Sequence, residues 1–246
     1  MPRRRHSLYG VWASDGPRSL VRAEPLKDGT WRLSGLKQYC TGATFVQSAL
    51  VTAHYEDTIL LFDVDVTAPG IRVESSTWET PALADTVTGP ISFNDVSVPS
   101  SALLGGPNWY LTRAGFWHGA IGPAACWAGG ALSLIDAATL LNRKDPHSRA
   151  HVGALQASAW VLSAILKESG SEVDADPDDL SESARVRALK VRHLIERQCM
   201  EVLDRFGRAT GPQLLAYDAQ VARQHMALTL YIRQCHAERD LETIPA

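Results

Sequence analysis

The triplet Gly105-Gly106-Pro107 divides the sequence into two parts whose local patterns are typical of different structures. Glycine and proline interrupt helices and strands alike, so a run of this kind commonly separates two folding units. Residues 7–104 contain short apolar segments, whereas the residues after the triplet contain long segments with helical periodicity. We therefore predict two domains, residues 1–106 and residues 107–246.

The first part has the pattern of a β-domain. Short segments rich in apolar and β-branched residues alternate with turn sequences such as Ala68-Pro69-Gly70 and Thr88-Gly89-Pro90. Many short strands at this spacing favour an antiparallel sandwich or barrel over alternating strands and helices.

The second part predicts a four-helix bundle, which makes the fold class α+β. Glycines in the first helix, among them Gly122 and Gly129, each cost up to about 1 kcal/mol, so they predict close approach of a neighbouring helix or a ligand. Pro123 predicts a kink or an early turn, and the acidic segment 170–183 predicts an exposed linker. The expected helices are roughly 109–141, 150–169, 180–206 and 213–241.

Composition narrows the classes of function. The 246 residues are 45% hydrophobic and 21% charged, which is typical of a globular protein. A net charge of -3 argues against a dedicated nucleic-acid-binding protein. The four cysteines form no Cys-x-x-Cys pair, so neither a zinc site nor a disulfide framework is expected. We find no signal peptide and expect no membrane-spanning segment, so a cytoplasmic protein is predicted.

The most informative stretch is residues 31–43, Trp-Arg-Leu-Ser-Gly-Leu-Lys-Gln-Tyr-Cys-Thr-Gly-Ala. It resembles the segment of the acyl-CoA dehydrogenase family in which Leu-x-Gly-x-Lys precedes an aromatic-x-Thr triplet. Further signposts follow in the family's order: Leu61-Phe62-Asp63-Val64, Pro69-Gly70-Ile71, Thr86-x-x-Gly89, Phe93-x-Asp95-Val96-x-Val98-Pro99 and Leu104-Gly105.

This resemblance implies the middle β-domain and the C-terminal helical domain of an FAD-dependent enzyme. The family's N-terminal helical domain has no counterpart in the sequence, so the resemblance implies an incomplete cover over the flavin. Loop 10–16 and the triplet 39–41 are expected to meet the flavin ring, with Thr41 as the best candidate for a hydrogen bond to its edge. The candidate residues for the ring are Trp12, Ser14, Tyr39, Cys40 and Thr41.

For the FAD diphosphate, the resemblance implies an arginine early in the second bundle helix and a glycine-rich turn before the last helix. Arg149 is the first candidate for the arginine, and Arg143 is the alternative. The turn corresponds to Gly207, Arg208 and Gly211. Arginine suits phosphate oxygens, and glycine lets a ligand approach the backbone closely.

The family's catalytic base is a glutamate at one of two positions, and neither position carries one here. His236 lies near the late position and His118 near the early one, and histidine can act as a base near neutral pH. Glu238, one helical turn beyond Cys235, is a third candidate for the base.

Three functions remain open at this point. The resemblance implies α,β-desaturation of an acyl thioester by an FAD-dependent oxidoreductase. The missing domain and missing glutamate leave open a non-catalytic assembly subunit of a heteromer, and histidine in place of glutamate leaves open a flavin-dependent monooxygenase. We expect a homodimer or homotetramer, with the alternative that a partner subunit supplies the missing domain.

Overall fold

The computed structural model describes residues 8–17, 19–74 and 78–245. The chain forms two compact units, Met1–Thr112 and Arg113–Ala246. The predicted boundary at residue 106 falls inside the first unit. The first unit contains a β-sheet and the second is helical, so the predicted α+β class is confirmed.

The β-unit contains one eight-stranded mixed sheet. Seven strands follow the order β6-β7-β3-β2-β4-β5-β8, and β1 pairs with β4. Both β1 and β2 run parallel to β4, which corrects the expectation of a purely antiparallel sheet. The strands are β1 Tyr9–Trp12, β2 Val21–Pro25, β3 Thr30–Cys40, β4 Ser48–Tyr55, β5 Thr58–Asp65, β6 Ile71–Val73, β7 Gly89–Pro99 and β8 Leu103–Leu104.

Strand β3 lies between β2 and β7, and its pairing with β7 shifts register twice, between Leu33 and Gly35 and between Lys37 and Cys40. Gly35 has a φ of 131°, and a Cβ there would lie 2.2 Å from the Leu20 carbonyl oxygen, so only glycine fits. The second irregularity lets Lys37 and Cys40, three residues apart, both point into the core.

The helical unit is built mainly from four longer helices. The expected first helix is interrupted after Thr112 and at Ala120, and the last after Tyr217 and at Ile232. The expected exposed linker is shorter than predicted, because the second long helix continues to Ala175. The helices are α1 Trp109–Thr112 in the first unit, and α2 Ala114–Gly119, α3 Ile121–Leu140, α4 Pro146–Ala175, α5 Ala184–Thr210, α6 Pro212–Tyr217, α7 Ala219–Tyr231 and α8 Glu238–Glu242 in the second.

Helix α3 is the core helix of this unit. Its residues Trp127 and Leu134 are fully buried against α4, α5 and α7. Pro123 lies in the first helical turn of α3, so the chain begins a new helix just before this proline, in agreement with the predicted interruption. A neighbouring helix approaches Gly130, where a Cβ would lie 3.4 Å from Leu228, but none approaches Gly122 or Gly129, where a Cβ would meet nothing within 4 Å.

The stretch Ala114–Leu140 has a mean hydropathy of 1.2 over its most apolar 18-residue window. By length and composition alone it could cross a membrane, as the core helix of a globular protein also could. The same stretch contains α3, and 33% of the window is buried inside the protein.

Candidate functional site

The end of β3 and the loop after β1 meet in the β-unit. The indole Nε1 of Trp12 donates a hydrogen bond to the Thr41 carbonyl oxygen over 3.0 Å. Trp12 itself is 2% exposed and belongs to the core, so the predicted site residue acts here as a link rather than as a surface group. The two segments assigned to the flavin by resemblance are therefore held together by a direct bond.

A second set of contacts fixes the loop itself. The fully buried amine of Lys37 donates to Asp15 Oδ1 over 2.6 Å, and to the carbonyl and hydroxyl oxygens of Thr52 over 2.9 and 2.8 Å. The Thr52 hydroxyl in turn donates to the Ala13 carbonyl over 2.9 Å. His54 Nε2 donates to Asp15 Oδ2 over 2.7 Å. All three N–H bonds of the lysine amine are thus satisfied.

These contacts and the burial of the two groups shift the pKa values of Asp15 and Lys37. Partial burial acts to raise the pKa of the Asp15 carboxyl, but the hydrogen bonds from His54 and Lys37 and their charges outweigh it, so the pKa lies below its ordinary value. Burial lowers the pKa of the Lys37 amine, and the Asp15 carboxylate opposes part of that lowering. The 2.6 Å contact between the Lys37 amine and Asp15 Oδ1 has the geometry of an ion pair.

Hydroxyl groups and an aromatic ring lie beside this network. Ser14, Tyr39 and Thr41 are exposed, and the Tyr39 ring is 51% accessible. The Thr41 hydroxyl lies 2.9 Å from that of Thr88, which lies 2.8 Å from that of Thr86. The strand end can therefore offer a planar ligand one aromatic surface and several groups that both donate and accept hydrogen bonds.

Cys40, the remaining candidate of the triplet, points the other way. It is fully buried, its Sγ donates to the Lys37 carbonyl over 3.4 Å, and burial raises the pKa of its thiol to about 12. A buried, protonated thiol is a packing group, so Cys40 cannot contact a ligand on this surface through its side chain.

In the helical unit, His236 forms an oriented pair with a carboxylate. Its Nδ1 donates to Asp240 Oδ1 over 3.2 Å, while the ring remains 55% exposed and the Asp240 side chain 17% exposed. With Nδ1 donating to the carboxylate, Nε2 faces away from Asp240 and can accept a proton when the ring is neutral.

The other two candidate bases have less suitable surroundings. His118 Nε2 donates to the Pro177 carbonyl over 3.1 Å, and its Nδ1 is buried away from solvent. Glu238 is exposed in the first turn of α8. Neither residue takes part in an imidazole–carboxylate pair like that of His236 with Asp240.

The candidate diphosphate residues do not converge on one another by direct bonds. Arg149 is exposed in the first turn of α4, and Arg208 pairs with Asp204 on the surface of α5. The alternative, Arg143, donates to the Thr210 carbonyl over 2.7 Å and so holds the end of α5. Gly207 lies within α5, while Gly211 has a φ of 64° and ends it.

Arg192 on α5 joins the two segments that carry the candidate histidines. Its Nη1 donates to the Ala120 carbonyl over 3.0 Å, at the end of α2, and its Nη2 donates to the Gln234 carbonyl over 2.8 Å, two residues before His236. Its guanidinium lies 4.8 Å from the centre of the Trp127 ring. Burial lowers the pKa of Arg192.

No protein-family model and no curated protein matches the sequence. Solved structures do match it. Dibenzothiophene monooxygenase TdsC from Paenibacillus sp. A11-2 is 19% identical with a TM-score of 0.80, over 98% of this chain and 69% of TdsC. Methanesulfinate monooxygenase MsuC from Pseudomonas fluorescens is 19% identical with a TM-score of 0.82, over 98% of this chain and 69% of MsuC.

A protein from Mycobacterium smegmatis described as an acyl-CoA dehydrogenase is 17% identical with a TM-score of 0.81, over 96% of this chain and 66% of its own length. The chain has the fold that these proteins share. The predicted resemblance in fold to the acyl-CoA dehydrogenases is thereby confirmed, and TdsC, one of the three, has been solved with FMN bound.

The local sequence marks some of these hydrogen-bonding residues and not others. Lys37 belongs to the Leu-x-Gly-x-Lys motif, and Asp15 follows the predicted site residue Ser14. His54, in contrast, is 39 residues from Asp15, and nothing in its local sequence marks it. Arg192 likewise sits in a helix with many other charged residues and carried no signal of its own.

Proposed function

We propose that this chain binds a flavin at the end of β3 and acts as a flavin-dependent oxidoreductase. The observation that carries this proposal is the hydrogen bond from Trp12 to the Thr41 carbonyl, which joins the two segments that the resemblance assigns to the flavin. A bound flavin would supply the electron transfer, which ordinary side chains cannot perform.

The exposed groups at this strand end suit such a ring. Tyr39 offers a flat apolar surface, and the hydroxyls of Ser14 and Thr41 can meet either the N–H or the carbonyl groups at the ring edge. The core residues Trp12 and Cys40 would hold this surface in place from beneath it.

Of the two common flavins we propose FAD. Arg149 is exposed and has no ion-pair partner among the described residues, so it can still bind a phosphate group. The FMN bound to TdsC makes FMN the alternative. The surface pair of Arg208 with Asp204 is worth at most about 1 kcal/mol, so Arg208 could exchange it for a phosphate.

Two reaction classes follow. Oxygen-dependent monooxygenation is favoured by His236 with Asp240 in place of a glutamate, and two of the similar structures are named monooxygenases. Desaturation of an acyl thioester is the second candidate, favoured by the motif of residues 33–41 and by the similar protein described as an acyl-CoA dehydrogenase. In either case we propose that Nε2 of His236 holds or moves the proton, with Asp240 fixing the ring.

We also propose that the chain assembles with a second copy of itself in the cytoplasm. Trp160 on α4 is 74% exposed, and Ala157 and Gly153 lie one and two turns before it on the same side of the helix. Tryptophan is enriched at protein interfaces relative to the rest of the surface. A partner subunit that covers the flavin is the alternative assembly.

Titration of the purified chain with FAD and with FMN, followed by flavin fluorescence, tests the binding. We expect saturable binding that Thr41→Val weakens about tenfold, because a hydrogen bond to the ring is lost. Thr229→Val is the matched control, since Thr229 is exposed and bonds only within α7. Absence of binding by either flavin would favour the non-catalytic assembly subunit.

The reaction class is tested on the flavin-loaded protein. Oxygen consumption with reduced flavin indicates a monooxygenase, whereas reduction of an artificial electron acceptor with saturated acyl-CoA thioesters indicates a dehydrogenase. We expect His236→Gln to lower turnover by about a hundredfold and His118→Gln to have a much smaller effect. Equal losses in both variants would contradict the role of His236.

A further inference from the structure

The buried amine of Lys37 has no role in packing that an apolar side chain could not fill. It lies at 0% exposure beneath the loop after β1, where a charged group loses the hydration it has in water. A methionine of similar length would fill the same space without that loss. Buried ion pairs of this kind add little stability over apolar residues, so a specific conformation is the property they can provide.

The network fixes the loop on both sides of Ser14. Lys37 reaches Asp15 directly and reaches the Ala13 carbonyl through the hydroxyl of Thr52. Ser14, between the two anchored residues, is itself exposed. The exposed Ser14 thus lies between Ala13, held through its carbonyl, and Asp15, held through its carboxylate.

His54 is the outer end of this network. Its ring is 34% exposed and donates to the carboxylate oxygen of Asp15 that Lys37 does not use. His54 lies near the end of β4, a central strand, where it pairs with Ile59 of β5 and with Arg22 of β2. Lys37 and His54 thus bond to different oxygens of the Asp15 carboxylate. Two separate bonds fix the rotation of the carboxylate as well as its position.

We propose that Lys37, Asp15 and His54 are positioning residues that hold the loop Ala13–Gly16 in the conformation that receives the ligand at Ser14 and Thr41. None of the three side chains needs to touch the ligand. This inference rests on the proposed function in that the ligand is a flavin, but the order of the loop can be measured without any ligand.

Two measurements test the proposal together. The first is hydrogen exchange of the amides of residues 13–16 in the flavin-free protein, and the second is the dissociation constant for FAD and FMN. His54→Ala is the main variant because its ring is half-buried and the β-unit should fold without it. His54→Gln is the conservative variant, since the glutamine amide can donate to Asp15. Lys37→Met breaks the inner bond, and Lys27→Met, at an exposed turn, is the matched control.

We expect His54→Ala to raise exchange in the loop and to weaken flavin binding, each by about tenfold, because a hydrogen bond to a charged group is lost. His54→Gln should recover most of both effects, and Lys27→Met should change neither. A merely structural role would lower the melting temperature of the β-unit while leaving the flavin affinity of the folded protein unchanged.

The outcomes separate this proposal from the proposed function. If the wild-type chain binds flavin and His54→Ala changes neither exchange nor affinity by more than about twofold, the positioning role is overturned. If the wild-type chain binds no flavin, the proposed function fails, and exchange in the loop still decides whether the network orders it. Rescue by His54→Gln in exchange alone would then support an ordered loop for another ligand.

Discussion

One cationic side chain in each unit donates several hydrogen bonds to oxygen atoms; Lys37 is fully buried, whereas Arg192 is only half-buried, and their partners differ. In the β-unit, Lys37 is paired with the carboxylate of Asp15 and with two oxygens of Thr52. In the helical unit, Arg192 bonds two backbone carbonyls, at Ala120 and Gln234, and lies over an indole ring. Burial lowers the pKa of both groups.

The difference lies in what each cation holds. An ion pair orients one carboxylate, so Lys37 and Asp15 define the conformation of a single loop. A planar guanidinium with its donors in a fixed fork can join two chain segments, and carbonyls at the ends of helices carry partial negative charge. Arg192 therefore connects the end of α2 with the turn before His236, and a lysine could not make both bonds in that geometry.

The largest effect is expected from Lys37→Met, which leaves the Asp15 carboxylate without its main partner. Removing one member of a buried pair costs about 3–5 kcal/mol, and we expect about 2–3 kcal/mol here because Asp15 is partly exposed. The double variant Lys37→Met with Asp15→Asn should lose less than the single one, since the uncompensated charge is gone. Equal losses in the single and double variants would show that the unpaired charge of Asp15 is not the source of the loss.

Two buried cysteines allow the units to be followed separately. Cys40 lies in the β-unit and Cys199 in the helical unit, and burial raises the pKa of each thiol to about 12. Such thiols react only when their surroundings open. Thiol labelling in urea, located by mass spectrometry, therefore measures the free energy of opening of each unit, and Lys37→Met should accelerate labelling at Cys40 only.

A smaller effect is expected from Arg192→Lys. One of the two carbonyl bonds and the contact with the Trp127 ring are lost, which should lower the free energy of unfolding of the helical unit by about 1–2 kcal/mol. Labelling at Cys199 should report this loss. Arg197→Lys, exposed on the same helix, is the control and should have no effect. Unchanged labelling at Cys199 in Arg192→Lys would show that the two hydrogen bonds from Arg192 to the carbonyls of Ala120 and Gln234 do not stabilise the helical unit.

The smallest effect is expected from acid, and it should distinguish the two cations. The pKa of Asp15 is lower in the folded protein than its ordinary value of 3.8, so its ion pair stabilises the β-unit at neutral pH. That contribution begins to be lost as the pH falls below the ordinary value and is gone once the pH has passed through the lowered one. The free energy of unfolding of the β-unit, measured by urea denaturation at each pH, should therefore fall in acid, and Asp15→Asn should reduce this pH dependence. The bonds of Arg192 to Ala120 and Gln234 contain no titrating acceptor and should contribute no such dependence.

Parts of the candidate site could be predicted from the sequence because they depend on local pattern. Tyr39 and Cys40 are neighbours in β3, so the exposure of the first and the burial of the second follow from the pleat. Asp145 is the N-cap of α4, with its Oδ1 accepting from the Ser148 amide over 2.9 Å, so this helix begins at Pro146, before the predicted start at residue 150.

Other parts could not be predicted, because they depend on contacts between distant residues. Trp12 was expected on a ligand surface but lies in the core, since its exposure depends on the pairing of β1 with β4. Gly122 and Gly129 were expected beside a neighbouring helix or a ligand, and no helix approaches them, because the packing of α4, α5 and α7 decides which side of α3 faces its neighbours. Local pattern does not specify either arrangement.

The sequence by itself determined the two-part organisation, the identity of β3 and the resemblance of residues 33–41, because turn chemistry, residue periodicity and motif spacing all act over short distances. Only the tertiary structure decided that β1 and β2 run parallel to β4, that Lys37 is buried beneath the loop, and that His54 meets Asp15 from 39 residues away. The physical reason is that a buried charge is tolerated only where distant residues bring its partners to it, and those partners exist only once the sheet has formed.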